Sequence, residues 1–194
     1  MLSVYIDFKS AASYLALKPS LALRERHQLE IAWKPYQTQA RDLPDQLENE
    51  SVGQRHRRVR ALSQRATWLK YAALQGVPLH FPERPGVTDL ALGVLARLKT
   101  EDEQLRYIQA AFEAYWVAHA DLNDPTFVTK LITQVKLAGA LNEDSARAAL
   151  TASQAHAEDL GVVDAPAYIL ADHLFIGREH LPWIEELIIS DTTE

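Results

Sequence analysis

The sequence predicts an α/β fold with an all-helical insertion between the second and third strands. A short apolar segment at residues 2–8 leads through a polar break into a stretch of helix formers, and residues 29–35 alternate like a half-buried strand. Residues 167–189 read as two further short strands followed by a helix. Helical periodicity fills roughly a hundred residues between these two parts.

The first unit is a strand at residues 2–8, a helix at about 11–27 and a strand at 29–35, and such a unit should be parallel and right-handed. Ser10 stands where the helix begins, so it is a natural N-cap. The turn lies at the carboxyl end of a strand, where α/β proteins bind ligands, and the free N–H groups of a helix start favour an anion. Ser10 is therefore a candidate site residue, with simple capping as the alternative.

The middle of the chain is predicted to be a polar loop at 37–53 followed by helices. Residues 54–75 form one or two helices, which Gly76 and Pro78 close. Later helices are expected from Thr88 or Asp89 to about 99, at 102–118, from Asp124-Pro125 onward and at 143–160. The chain ends in a hairpin at 167–170 and 174–176, a closing helix at 178–189 and a frayed tail at 191–194.

Composition and charge exclude several classes of function. The chain has 194 residues, 47% of them hydrophobic, and a net charge of −6, which argues against nucleic acid or an anionic membrane as partner. It has no cysteine, so it cannot exchange disulfides, and its seven histidines lack metal-ligand spacing, so no metal is expected. No secretory leader or membrane-spanning run is recognised, which predicts a soluble cytoplasmic protein.

Three segments carry a resemblance to a known family. Residues 7–15 match Asp-Phe-x-Ser-Pro-Tyr-Ser-Tyr-Leu except at Ala11 and Ala12. Residues 161–168 partly match Gly-Val-x-Gly-Val-Pro-Thr-Phe, and residues 174–181 match Leu-Phe-x-Gly-x-(Asp/Glu)-x-Leu. In this order they resemble the DsbA-like branch of the thioredoxin fold, and within it the group of 2-hydroxychromene-2-carboxylate isomerases and kappa-class glutathione transferases.

The resemblance implies a thioredoxin-like domain at residues 1–53 and 159–194, with a helical insertion domain at 54–158. It also implies a glutathione-dependent isomerase or transferase that acts on an aromatic or unsaturated carboxylic acid. In the resembled isomerases the serine at the Ser10 position faces the sulfur of bound glutathione. Its thiolate adds reversibly to the acid, permits a bond rotation and leaves. Ser10 would thus be the catalytic residue, since a hydroxyl that donates to a thiolate lowers the thiol pKa.

The same resemblance implies further glutathione contacts. The Ala165–Pro166 bond would be a cis-proline turn, and the backbone of Ala165 would pair with the cysteine of glutathione. For Lys34 a solvated strand-end lysine is the favoured interpretation, and pairing with a glutathione carboxylate is the alternative. The segment of Gly177, Arg178 and Glu179 would hold the γ-glutamyl carboxylate, with a plain helix start and a surface arginine as the alternative.

The most concentrated positive charge lies in the segment Arg55-His-Arg-Arg-Val-Arg60, together with Arg65. A solvated helix face is the usual explanation for such a run. The functional interpretation is an anion clamp at the mouth of a cleft for an acidic substrate. Nucleic-acid binding ranks behind both because the net charge is −6.

Several departures from the family pattern support a second hypothesis. Ala11 and Ala12 replace Pro-Tyr, Asp164 replaces a glycine, and Val87 stands where relatives often carry an Asn. These changes favour a non-catalytic thioredoxin-like module that binds a peptide or a small acid. A homodimer built on exposed helical faces is a third expectation.

Overall fold

The computed structural model of the protein describes residues 1–39, 44 and 49–191. Its strands are β1 at Leu2–Ile6, β2 at Ile31–Pro35, β3 at Ala167–Leu170 and β4 at His173–Ile176. They form a mixed sheet in the order β2-β1-β3-β4, in which β1 is parallel to β2 and antiparallel to β3. β3 and β4 form an antiparallel hairpin. The predicted parallel first unit and the predicted C-terminal hairpin are therefore confirmed.

Seven α-helices are found in the described part of the chain. They are α1 at Ala11–His27, α2 at Val52–Gln75, α3 at Asp89–Arg97, α4 at Glu101–Trp116, α5 at Pro125–Gln134, α6 at Glu143–Asp159 and α7 at Leu181–Asp191. Five of them, α2 to α6, lie between β2 and β3, which confirms the predicted α/β class with a helical insertion. Every helix among the described residues is too short or too polar to cross a bilayer.

The first two strands are shorter than predicted because the neighbouring turns extend into the predicted ranges. β1 ends at Ile6, since Ser10 N–H donates to the carbonyl of Asp7 (3.1 Å) and closes a turn. β2 begins at Ile31, because Leu29 N–H still donates to the carbonyl of Arg24 at the end of α1 (3.0 Å). In both cases a local backbone bond competes with the sheet.

Helix α2 starts two residues before the predicted position, at Val52. Ser51 and Gln54 form a capping box, in which each side chain accepts from the other residue's backbone N–H. Val52 and Gly53 are therefore helical, although they were predicted as loop. The remainder of that predicted loop lies partly outside the described residues, as do residues 192–194 of the predicted frayed tail.

The closing helix, in contrast to α2, starts later than predicted. Residues Arg178–His180 form a 3-10 turn, and α7 begins at Leu181. Pro182 has no N–H to donate to the carbonyl of Arg178, so an α-helix cannot run through this point. Leu181 N–H bonds the Arg178 carbonyl instead.

The hydrophobic core joins the sheet to the insertion. Fully buried side chains from the strands, including Ile6 and Trp33, belong to the same cluster as buried side chains of α3 and α4. The backbones of α3 and α6 approach closely at Gly93 in α3: a Cβ placed there would lie 2.4 Å from the carbonyl oxygen of Ala146 in α6. A glycine is thus required where α3 and α6 cross.

Candidate functional site

A buried carboxylate fixes the turn between β1 and α1. Asp7 is 0% exposed, and its carboxylate accepts hydrogen bonds from Lys9 N–H (3.2 Å), from the N–H and hydroxyl of Thr38 (both 2.8 Å) and from the Thr88 hydroxyl (2.9 Å). The Lys9 ammonium, whose side chain is 6% exposed, completes the set at 2.7 Å. Asp7 therefore ties this turn to the chain after β2 and to the start of α3.

Ser10 caps α1 as the sequence predicts, and it also contacts the opposite loop. Its Oγ accepts from Ser13 N–H (3.2 Å) and donates to the carbonyl of Ala165 (3.0 Å). Ser13 is buried, and its Oγ accepts from Asp7 N–H (3.3 Å). The two serines thus fasten the helix start to the end of β1 and to the loop before β3.

The loop before β3 contains a cis Ala165–Pro166 peptide bond. Ala165 N–H donates to Oδ1 of Asp164 (2.9 Å), while its carbonyl accepts from Ser10. The Pro166 carbonyl accepts from Gly177 N–H (2.8 Å). Both backbone groups of Ala165 therefore have partners within the protein.

Arg178 is held in place by a carbonyl that a proline sets free. Pro19 lies inside α1 and has no N–H, so the carbonyl of Leu15 lacks its helical donor. Nη1 of Arg178 (3.2 Å) and Nε2 of Gln75 (3.1 Å) donate to it instead. The Arg178 guanidinium also lies 3.8 Å from the ring centroid of Tyr71, a cation–π contact. Arg178 thus joins α1, α2 and the turn after β4.

Glu179 folds over Gly177. A Cβ at Gly177 would lie 2.4 Å from both carboxylate oxygens of Glu179, and the φ of Gly177 is 104°. Glycine is favoured here because it adopts this positive φ without strain.

These segments surround a cavity of about 670 Å³. It lies between α2 on one side and the first turn of α1, the loop before β3 and the turn after β4 on the other. Its volume falls in the range of small-molecule sites, roughly 300–1,000 Å³. The lining from outside α2 consists of Ala12, Asp164, Ala165, Pro166, Ile176, Gly177, Arg178 and Glu179. The lining from α2 consists of His56, Val59, Arg60, Ser63, Gln64, Thr67, Trp68 and Tyr71.

Helix α2 as a whole is strongly cationic, and Arg60 is the arginine that it contributes to the cavity lining. α2 carries five arginines and one lysine and no acidic residue, so its formal charge is +6. Since the net charge of the chain is −6, all other residues together carry −12. The acids that line the cavity, Asp164 and Glu179, lie outside α2. The lining therefore carries Arg60 from α2, and Arg178 next to Glu179 in the turn after β4.

Most of the site residues predicted from sequence meet at this cavity. Ala165, Pro166, Gly177, Arg178 and Glu179 line it, and Ser10 is joined to it through the Ala165 carbonyl. Lys34 does not: it is exposed on the edge strand β2, two strands away from β3 in the sheet, and it is not part of the lining.

The sequence interpretation missed the Asp7 network and the aromatic part of the α2 lining. Pro19 was a usable signal for the contacts that Arg178 and Gln75 make with the Leu15 carbonyl, because a proline inside a helix frees the carbonyl four residues earlier. The four-residue spacing of His56, Arg60 and Gln64 was a signal for one helix face. Nothing local in the sequence indicates that Thr38 and Thr88 donate to Asp7, because these residues are far apart in the chain.

One buried tyrosine supports the core behind the site. Burial is the main cause that raises the pKa of Tyr168 well above its ordinary value, and its hydroxyl bonds the Oγ of Ser20 in α1 (3.1 Å). Tyr168 is thus a neutral hydrogen-bonding residue between β3 and α1.

A mixed sheet of this strand order, with a cis-proline loop set against the start of the first helix, defines a thioredoxin-like domain. The family model of the DSBA-like thioredoxin domain matches residues 1–188. The chain belongs to that family. A search of curated proteins found no significant match.

Solved structures agree on the fold. A 2-hydroxychromene-2-carboxylate isomerase is similar with a TM-score of 0.71 and 18% identity, over 96% of this chain and 93% of the other. A probable DsbA oxidoreductase from Streptomyces coelicolor is similar with a TM-score of 0.67 and 15% identity, over 100% of this chain and 90% of the other. DsbM, a cytosolic disulfide reductase from Pseudomonas aeruginosa solved with GSH, is similar with a TM-score of 0.60 and 15% identity, over 99% of this chain and 97% of the other. At these identities the similarity shows the fold alone.

Proposed function

We propose that the protein is a glutathione-dependent isomerase or transferase that acts on an aromatic or unsaturated carboxylic acid. The observation that carries this proposal is the cavity, at which the cis-proline turn, whose Ala165 carbonyl accepts from Ser10, meets the cationic helix α2. Two similar structures add support, one an isomerase of a chromene carboxylate and the other a reductase solved with GSH.

The residues present fit glutathione in size and charge. A volume of about 670 Å³ has room for a tripeptide and a second small molecule. Glutathione carries two carboxylates and an ammonium group, and the cavity offers both cations and carboxylates. When bound, glutathione would supply the thiol nucleophile that a chain without cysteine lacks.

In this proposal Ser10 donates its hydroxyl hydrogen to the sulfur, while Ser13 N–H continues to hold the Ser10 oxygen. The hydroxyl must then rotate away from the Ala165 carbonyl, which becomes free to accept from a bound peptide. Ala165 N–H would likewise exchange Asp164 for the ligand. Pro166 shapes this turn, and Gly177, Arg178 and Glu179 bind the γ-glutamyl end. Lys34 is left out, because it lies away from the cavity.

Titration calorimetry with reduced glutathione tests the proposal directly. We expect binding to the wild type, and we expect the ultraviolet absorbance of bound thiolate to fall in Ser10→Ala, measured well below the unfolding temperature of both proteins. Turnover of 2-hydroxychromene-2-carboxylate with glutathione is the activity assay. The absence of both binding heat and thermal stabilisation at millimolar glutathione would reject the proposal.

A second candidate is a binding module that performs no turnover. It is favoured because the Ser10 hydroxyl and both backbone groups of Ala165 already have hydrogen-bond partners within the protein. It predicts that a small acid or a peptide is retained while no thiol conjugate or isomer forms. Turnover that depends on Ser10 would exclude it.

Location and assembly follow as further proposals. A cytoplasmic protein fits a glutathione-dependent reaction, and the similar DsbM is described as cytosolic. A homodimer stays a prediction from the sequence. Gel filtration with light scattering tests it, and a monomer mass across the accessible concentration range would reject it.

A further inference from the structure

We propose that Arg60, assisted by His56, forms a carboxylate-binding subsite on the α2 side of the cavity and selects for acidic ligands there. The inference rests on the proposed function for the identity of its ligand, an aromatic or unsaturated acid. The carboxylate subsite itself follows from the contacts and charges of the lining residues.

Two arginines line the cavity, Arg60 and Arg178, and of these Arg60 has no partner among the described residues. Nε and Nη2 of Arg58 bind the carboxylate of Glu50 (2.6 and 2.8 Å), and the Arg65 guanidinium lies 4.3 Å from the ring centroid of Phe81. Nη1 of Arg178 donates to the carbonyl of Leu15. Arg60 is exposed and lines the cavity, so its five N–H donors are available to a ligand.

The position of Arg60 on α2 gives the subsite a direction. His56 and Arg60 are four residues apart and share one face of the helix, and the polar side chains of Ser63 and Thr67 continue it. Trp68 lines the cavity farther along, about 12 Å from Arg60 along the helix axis at 1.5 Å per residue. The lining of α2 thus runs from a cationic end to an aromatic end.

The rest of the lining favours the same orientation. Outside α2, the charged lining residues are the carboxylates of Asp164 and Glu179 and the guanidinium of Arg178. Two negative charges against one positive charge leave this side of the cavity net negative, so it disfavours an additional bound anion. A ligand with a planar apolar body and one carboxylate therefore binds best with its body near Trp68 and its carboxylate at Arg60. A guanidinium suits this role because its planar fork matches the two oxygens of a carboxylate.

The test compares an acid with its neutral amide. Trans-cinnamate and cinnamamide share a planar body and differ in the carboxylate, and both are titrated into the free protein and into the protein with glutathione. For wild type we expect cinnamate to bind about tenfold more tightly than cinnamamide, the size expected of one charge-assisted contact. Arg60→Gln should remove this preference, and Arg60→Lys should retain part of it.

Arg55→Gln is the matched control. Arg55 lies on the same helix, is also exposed and carries the same charge, but it does not line the cavity. The control should keep the preference for cinnamate. Equal losses in Arg60→Gln and Arg55→Gln would show that the effect is only the overall charge, and would overturn the subsite.

The carboxylate at Arg60 has two sources, the co-substrate or the glycyl end of glutathione. Glutathione and its glycyl ethyl ester are therefore titrated in the same variants. If Arg60→Gln removes the preference for glutathione over the ester and leaves the cinnamate preference intact, the carboxylate belongs to glutathione. If Arg60→Gln changes neither preference, the subsite is wrong.

The outcomes separate this inference from the proposed function. A cinnamate preference that depends on Arg60 without any glutathione binding supports the subsite and rejects the glutathione chemistry. Glutathione binding without any Arg60-dependent preference rejects the subsite and leaves the proposed function standing.

Discussion

At the residue scale, the Ser10 hydroxyl joins α1 to the cis-proline loop in addition to capping the helix. Ser10→Ala removes both bonds. We expect the free energy of unfolding to fall by about 2 kcal/mol, roughly half from the lost cap and half from the Ala165 carbonyl. Urea denaturation measures it.

The control for Ser10 is Asn142→Ala. Asn142 caps α6 through one exposed bond to Ser145 N–H (2.8 Å), so this variant loses a cap and nothing else. Its loss should be about 1 kcal/mol. Equal losses in the two variants would show that the Ser10–Ala165 bond contributes nothing to stability.

The buried pair of Asp7 and Lys9 supports a second prediction at this scale. Asp7→Asn leaves the Lys9 ammonium buried without its counter-charge, which costs about 3–5 kcal/mol of unfolding free energy. The double variant with Lys9→Met should recover part of this loss, because it removes the unpaired charge. Asp172→Asn, at a side chain that is 89% exposed, should change stability by less than about 0.5 kcal/mol. An Asp7→Asn variant as stable as the wild type would contradict the prediction.

At the scale of elements, the crossing of α3 and α6 depends on Gly93. Alanine has the better helix propensity, by about 1 kcal/mol, but its Cβ would meet the backbone of Ala146, which a side-chain rotation cannot relieve. We expect Gly93→Ala to destabilise the protein by about 1–3 kcal/mol. Gly53→Ala in α2 meets only the end of the Arg57 side chain, at 3.7 Å, and should be neutral or slightly stabilising. Thermal unfolding of both variants decides it.

The contact between α1 and α7 should depend on pH. Hydrogen bonds from His27 and Arg26 lower the pKa of Glu185 below its ordinary value. A carboxyl with a depressed folded-state pKa stabilises the fold above its unfolded pKa of about 4.3, and that stabilisation disappears as the pH falls through the folded value.

The measurement is the difference in melting temperature between wild type and Glu185→Gln. It should be positive at pH 6 and shrink as the pH is lowered below about 4.3. Glu186→Gln, the exposed neighbour on α7, should show a flat difference. A difference for Glu185→Gln that does not vary with pH would contradict the assignment.

At the scale of the whole molecule, the sequence predicted the class, the order of elements and most of the cavity lining that lies outside α2. The order of elements depends on local patterns, namely apolar alternation, helical spacing and capping residues such as Ser10, whereas the lining residues were implied by the resemblance of residues 161–168 and 174–181 to a known family. The Asp7 network and the position of Lys34 could not be predicted, because both depend on which distant segments meet. The start of α7 differs from the prediction for another reason: Pro182 has no N–H for the Arg178 carbonyl, which moves the start of the helix to Leu181.

The uneven distribution of charge between α2 and the rest of the chain also affects how ligands arrive. An acid is repelled by most of the surface and attracted by the helix beside the cavity, so diffusion is guided toward the entrance. The association rate should therefore fall as salt is added, because the screening length shrinks from about 30 Å at 0.01 M to about 10 Å at 0.1 M. The dissociation rate, which reflects short contacts inside the cavity, should change little. Stopped-flow binding of cinnamate across this salt range measures both rates, and an association rate independent of salt would show that the charge of α2 plays no part in capture.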